Sequence, residues 1–166
     1  EYLSMTDRIL TGDSPSVGHN SPVADMSADV TVDADKMFVW PVRVYYEDTD
    51  AGGVVYHANY LRFMERARSE WLRALGHPVD QIVAQEKRLF VVRSVEMKFI
   101  RPAVLGDELQ VSAEIIKTRR ASMRLAQEVS SVVQGEPQLR VRAIIELAMV
   151  SSETFRPVAL PEFLKT

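Results

Sequence analysis

The chain predicts an α+β fold in which one long helix is wrapped by a curved antiparallel sheet. Three observations carry that expectation. Residues 58–75 place apolar side chains at three- and four-residue steps, the repeat of an amphipathic helix. Four later stretches between residues 89 and 151 alternate apolar and polar residues, the period of a half-buried strand. The breaks between those strands are short, and short connections favour antiparallel neighbours. One helix covers one face of such a sheet, so the other face needs polar residues or a partner.

The chain has 166 residues, enough for one domain with a sizeable core. Its 46% hydrophobic and 26% charged content is ordinary for a globular protein. It has no cysteine, which excludes disulfides, thiolate metal sites and cysteine nucleophiles and fits a reducing compartment. No apolar run is long enough to span a bilayer and no signal-peptide pattern opens the chain, so a cytoplasmic location is expected. Charge is uneven. Residues 1–36 hold seven acids and two bases, a net of −5, while residues 37–166 hold 16 acids and 18 bases, a net of +2. A mildly basic body suits a small anionic ligand, and the absence of a dense basic stripe argues against nucleic acid. Residues 1–36 are rich in Ser, Asp, Pro and Gly without hydrophobic period, and read as a disordered acidic tail dispensable for folding.

The domain is expected over residues 37–166. Met37–Tyr46 is rich in Val and aromatics and reads as a strand, with Pro41 marking an edge position or a bulge. The helix from Ala58 to Leu75 aligns Tyr60, Phe63, Met64, Ala67, Trp71 and Leu72, with Arg62, Arg66, Ser69 and Arg73 opposite. Gly76 and Pro78 are its stop signals. Residues 79–87 read as a short second helix or ordered loop. Strands are expected at 89–101, 108–118, 121–133 and 139–151. Leu139, Val141, Ala143, Ile145, Leu147 and Met149 line one face of the last, and Ile144 and Val150 the other. The C-terminal FRPVALPEFL is a Pro-interrupted tail laid over the surface.

Chemistry concentrates between the first strand and the helix, in YYEDTDAGGVVYHANYLRFMERAR. Asp50, the pliable Gly52-Gly53 pair and a helix start near His57–Asn59 lie within a few residues of each other. A helix N-terminus leaves backbone N–H groups unpaired and partly positive, so it can receive a developing oxyanion beside a carboxylate. Asp before Gly also forms Asx turns. Asp48 reads as organising the turn, and Gly52 and Gly53 as allowing positive φ or close approach of the backbone to a ligand. Asn59 can cap the helix or bond to the Asp50 loop, and Tyr56 and Tyr60 are packing residues at their simplest. Glu65 is expected to pair with a neighbouring Arg. The three histidines have no metal-ligand spacing, so no metal is expected.

This stretch resembles the hotdog-fold acyl-CoA thioesterases of the 4-hydroxybenzoyl-CoA thioesterase type, and within them the bacterial Tol–Pal-cluster acyl-CoA thioesterases. The resemblance covers about residues 38–160, with residues 46–66 its specific part. It implies a helix in a sheet bun, paired by sheet extension into dimers or tetramers with sites at the dimer interface. It implies hydrolysis of acyl-CoA to a free acid and CoA, with no cofactor beyond the coenzyme A of the substrate. Asp50 matches the family's catalytic carboxylate, as nucleophile or general base, and the backbone N–H of His57 its oxyanion donor. Gly52, Gly53, Tyr56 and Asn59 fall on the substrate side, and Arg119, Arg120 and Ser122 fall where the family binds the nucleotide end of CoA. The alternative function is an interaction module for acyl-carrier protein or lipid-synthesis enzymes, with little hydrolysis. The intact Asp50 motif argues against pure binding.

Overall fold

The computed structural model describes residues 37–165. The expected acidic tail, residues 1–36, lies outside them. The elements are β1 (Phe38–Arg43), α1 (Asn59–Ala74), α2 (Val79–Glu86), β2 (Arg88–Phe99), β3 (Glu108–Thr118), β4 (Ser122–Val133) and β5 (Glu136–Ser151). The strands form one sheet in the order β1-β3-β4-β5-β2, and every pairing is antiparallel. Helix α1 packs against β1, β3 and β4.

The helix forms where its stripe predicts. Tyr60, Phe63, Met64, Ala67, Trp71 and Leu72 are all buried, and they meet Leu109, Val111, Leu125, Val129, Val141 and Ile145 from the sheet in one core. It ends in a Schellman motif: Gly76 N donates to Arg73 O (2.9 Å) and His77 N to Leu72 O (2.9 Å). Gly76 takes φ +83°, a left-handed conformation that a side chain disfavours. The hairpin from β4 to β5 turns on Gln134 (φ 53°) and Gly135 (φ 85°), the positive pair that suits strand twist. Strand β5 therefore begins at Glu136, three residues earlier than expected, and Pro137 pairs with Val132 inside the hairpin. Strand β1 is shorter than expected, and a 3-10 turn at Tyr46–Asp48 follows it. Pro41 sits on that strand, which among the described residues pairs only with β3 and is a sheet edge.

One expectation fails. The eight residues between β2 and β3 do not join neighbours: β5 and β4 lie between them. The connection crosses the helix side of the sheet. Along it Ala103 is fully buried and bonds to the loop before α1 and to Tyr60 of the helix. Contacts to the helix and to the loop before it hold its path, and it ends in a tight turn that Asp107 N closes on Val104 O (3.1 Å). Beyond the Ser122↔Ala148 pair, where β4 ends, the C-terminal segment runs beside β5 in its place, with Val150 bridged to Pro157 and Val158 N bonded to Met149 O (3.0 Å). It then turns inward, burying Leu160 and Leu164, and Phe163 stacks on His77 (3.7 Å).

The β3–β4 ladder lapses between Val111↔Val129 and Glu114↔Ala126. Side chains fill the gap. Gln127, fully buried, donates from Nε2 to Ser112 O (2.9 Å) and Met64 O (3.2 Å). Ser112 Oγ accepts from Glu128 N (2.8 Å). Arg68 of α1, also buried, donates to Gln127 Oε1 (2.7 Å) and forms an ion pair with Glu65. The pairing expected of Glu65 is thus present. A buried polar network is stabilising when its members are satisfied, and this one rivets the helix to the sheet.

Candidate active site

The loop between β1 and α1 is held by its own backbone. Asp50 N donates to Val54 O (2.9 Å) and Gly53 N to Asp50 O (3.0 Å), closing a small hairpin in which Thr49 bridges Val55. Gly53 takes φ +76° at its tip. Gly52 does not need positive φ. Its N–H donates to Asp50 Oδ1 (2.7 Å), and a Cβ there would stand 3.0 Å from that same oxygen. Asp50 therefore makes the Asx turn that Asp before Gly predicts, and it is exposed. Among the described residues only Oδ1 accepts a hydrogen bond, which leaves Oδ2 free for chemistry.

Asp48 does the opposite job. It is buried, its Oδ2 accepts from Tyr45 N (2.9 Å), and its carbonyl accepts from Tyr56 N (2.8 Å) and Asn59 Nδ2 (2.9 Å). Asn59 is the first residue of α1 and buried, and its side chain makes the bond to the Asp50 loop that is one of its two expected roles. Ala58, in a helical conformation, is the N-cap. Asp48 and Asn59 together hold the hairpin against the helix start. Val55 N donates to Ala103 O (2.9 Å) and Val54 bridges Val104, so the β2–β3 connection clamps the loop from the other side.

At the junction of loop and helix, Asn59 N donates to Tyr56 O (2.8 Å). The N–H groups of His57 and Ala58 have no acceptor among the described residues. They lead into the 16-residue helix, whose N-terminal end carries partial positive charge. The His57 ring is exposed, lies 4.5 Å from the ring of Tyr56 and meets Phe99 edge-on at 6.4 Å. Beside it is a cavity of about 220 Å³ lined by Val55, His57, Tyr60, Phe99, Ile100, Arg101 and Pro102. Burial raises the pKa of the Tyr60 hydroxyl above its ordinary value, and the hydrogen bond it accepts from the N–H of Ala103 partly opposes the rise.

Arg119, Arg120 and Ser122 do not join this site within one chain. They form the β3–β4 turn, where Arg119 N donates to Ser122 O (2.8 Å) and Arg120 O accepts from Leu160 N (2.8 Å). Both arginines are exposed. The Asp50 loop stands at the start of β3 and this turn at its end, roughly 33 Å away along an extended strand. Lys117 and Arg124 stand nearby. The Nε of Arg124 is buried and has no hydrogen-bond partner among the described residues.

The arrangement offers an exposed carboxylate on the loop that runs into free backbone donors and a cavity partly walled by aromatic rings. Comparison with known proteins gives it a family. A thioesterase superfamily model matches residues 52–137. The chain is 44% identical over 126 residues to the acyl-CoA thioester hydrolase YbgC of Escherichia coli O6:H1, covering 76% of this chain and 91% of that one. The chain belongs to the thioesterase superfamily. It is 38% identical over 131 residues to the acyl-CoA thioesterase YbgC of Haemophilus influenzae, with 79% and 93% covered. A crystal structure of a probable thioesterase from Bartonella henselae superposes with a TM-score of 0.70 at 37% identity, over 76% of this chain and all of that one. The fold is the hotdog fold, and the protein is a hydrolase of this superfamily.

Two features of the thioesterase site escaped the sequence. Phe99 reads there as one more strand residue, and nothing in the sequence singles out Ala103; the path of the β2–β3 connection brings both to the helix start. Among the described residues no group of three or more His, Asp or Glu could hold a metal ion, and no helix is long and apolar enough to cross a membrane.

Proposed function

We propose that this protein hydrolyses acyl-CoA thioesters to a free acid and coenzyme A, with Asp50 as the reacting carboxylate and coenzyme A entering only as part of the substrate. The observation that carries the reading is an exposed Asp50 oxygen without a hydrogen-bond donor, on the loop that runs into unpaired N–H groups at the head of α1. The Asp50 carboxylate is the group that reacts. It attacks the thioester carbonyl directly or takes a proton from water, and a thioester is activated enough for either. The negative charge that develops on the carbonyl oxygen is received by the His57 N–H and the helix end behind it. The hairpin bonds fix the carboxylate before substrate arrives, so little ordering remains to be done in the transition state.

Coenzyme A brings phosphates, and arginine suits them. The Arg119–Ser122 turn supplies two exposed guanidiniums, yet it stands at the wrong end of its own chain. A second subunit resolves this. Strand β2 is a sheet edge, with Val92 and Phe99 both 52% exposed and Val95 at 38%. Two-fold antiparallel pairing of β2 with β2 reverses the ends of the two sheets. The Phe99 end of one chain, with its Asp50 loop, then lies beside the Arg88 end of the other. Strand β5 carries that end to Ser122 through the Ser122↔Ala148 pair. A homodimer, alone or paired again into a tetramer, thus assembles complete sites from halves.

The test is Asp50→Asn, which keeps the shape and the Gly52 bond and removes the charge. Thiol release from acyl-CoA esters of graded length should fall at least about a hundredfold at unchanged thermal midpoint. Near-wild-type turnover removes Asp50 from the mechanism.

A further inference from the structure

The β3–β4 turn gathers positive charge that its own surroundings leave uncompensated. Lys117, Arg119 and Arg120 are exposed, and Arg124 is half-buried with its Nε unpartnered. Lys117 stands directly opposite Arg124 across the ladder, an arrangement that disfavours two like charges. Glu146 faces Arg124 from β5 but pairs with Arg93 (3.2 Å). Among the described residues none of the four cations has an ion-pair partner.

Strand β1 aims the chain that precedes it at this patch. It pairs with β3 from Arg43↔Glu108 to Phe38↔Ala113 and stops there, although β3 runs on to Thr118. On that side Glu114, Ile115, Ile116 and Lys117 have no neighbouring strand among the described residues, and Ile116 is 48% exposed. Followed backwards, the line of β1 leads along this open edge towards Arg119, roughly 20 Å beyond Ala113 in extended chain. The residues before Met37 carry seven acids and two bases. At about 3.3 Å per residue, Asp35 and Asp33 have the reach to meet Lys117, and Asp29 to meet Arg119 and Arg120.

We propose that the acidic segment before Met37 docks on the Lys117–Arg124 turn of its own chain and competes there with the phosphates of an incoming coenzyme A ester. This rests on the reading that the turn takes those phosphates. Exposed ion pairs are individually weak, but a segment tethered a few residues away acts at an effective concentration on the order of millimolar. A substrate with several phosphate charges still displaces it. The segment therefore raises KM and leaves kcat alone.

The experiment uses the full chain with Asp29→Asn, Asp33→Asn and Asp35→Asn together, against the wild type. Each is given one acyl group on two carriers, coenzyme A and N-acetylcysteamine, which has no phosphate. At low salt the substitutions should lower KM for the coenzyme A ester roughly three- to tenfold at unchanged kcat, and the difference should shrink at about 0.3 M salt. Turnover of the N-acetylcysteamine ester should not change. In chains that also carry Arg119→Ala and Arg120→Ala, the three substitutions should lose most of their effect. An unchanged KM overturns the proposal. So does an equal gain on both carriers, because the acids then screen the reacting carboxylate and not the turn. A gain that persists in full without the two arginines places the acids elsewhere and also overturns it. The arginine substitutions alone separate the two readings. If they raise KM for the coenzyme A ester while the aspartate substitutions do nothing, the phosphate site stands and the docked segment falls. If they leave that KM unchanged, the phosphate site falls and the docked segment with it.

Discussion

Asp48 and Asp50 are two residues apart and end in opposite surroundings. Asp48 is buried with its side chain and carbonyl both engaged, while Asp50 reaches solvent with one oxygen unengaged. Substituting Asp48 by Asn sets an amide against the Tyr45 N–H or weakens the acceptor. The expected cost is roughly 1–3 kcal/mol of stability in urea denaturation, together with reduced turnover because the loop loosens. Spacing and residue type made this division legible: an Asp preceding Ala-Gly-Gly reads as a turn tip, and one two residues earlier as its organiser. Arg68 and Gln127 were not legible. A lone charge on an apolar stripe and a lone amide on a buried strand face carry no signal of their own, and only the lapse in the β3–β4 ladder gives them partners.

Helix α1 is the element whose boundaries the sequence set most closely, within a residue at each end, because its stripe and its glycine stop agree. Gly76→Ala tests the stop. It places a Cβ at φ +83°, which should cost about 1 kcal/mol and lower the midpoint of thermal unfolding without altering the Asp50 loop at the other end of the helix. The strands were legible for the same reason of period, but their neighbours were not. Loop length alone joins β3 to β4 and β4 to β5 correctly. It fails for β2 and β3, where the connecting residues also bond to the helix and the hairpin and are carried past the neighbouring strands.

For the whole molecule, assembly and activity are expected to be one property. Asp50→Asn chains lack the carboxylate, and chains with Arg119→Ala and Arg120→Ala lack the phosphate contacts. Each alone should be poorly active. Unfolded together and refolded as a mixture, random pairing makes half the dimers mixed, and each mixed dimer holds one intact site of two. Activity should then return to about a quarter of the wild-type level. A mixture no more active than its parts shows that each site is built within one chain. Light scattering over a dilution series, read beside specific activity, checks the same point. Activity that persists in the monomer defeats the shared site.

The strand order also sets a timetable for the chain as it is made. Strand β2 leaves the ribosome early, yet its only partner among the described strands is β5, the last to emerge. Between the two, about 36 residues must be synthesised while Val91, Val92 and Val95 have no strand beside them. The hairpins β3–β4 and β4–β5 close locally as they appear, but they form the middle of the sheet before one of its borders exists. At two to seven seconds for that stretch, set by the ordinary pace of translation, a nascent β2 is open to pairing with the β2 of another nascent chain. The surface proposed to join finished subunits is therefore the one most in need of shelter during synthesis.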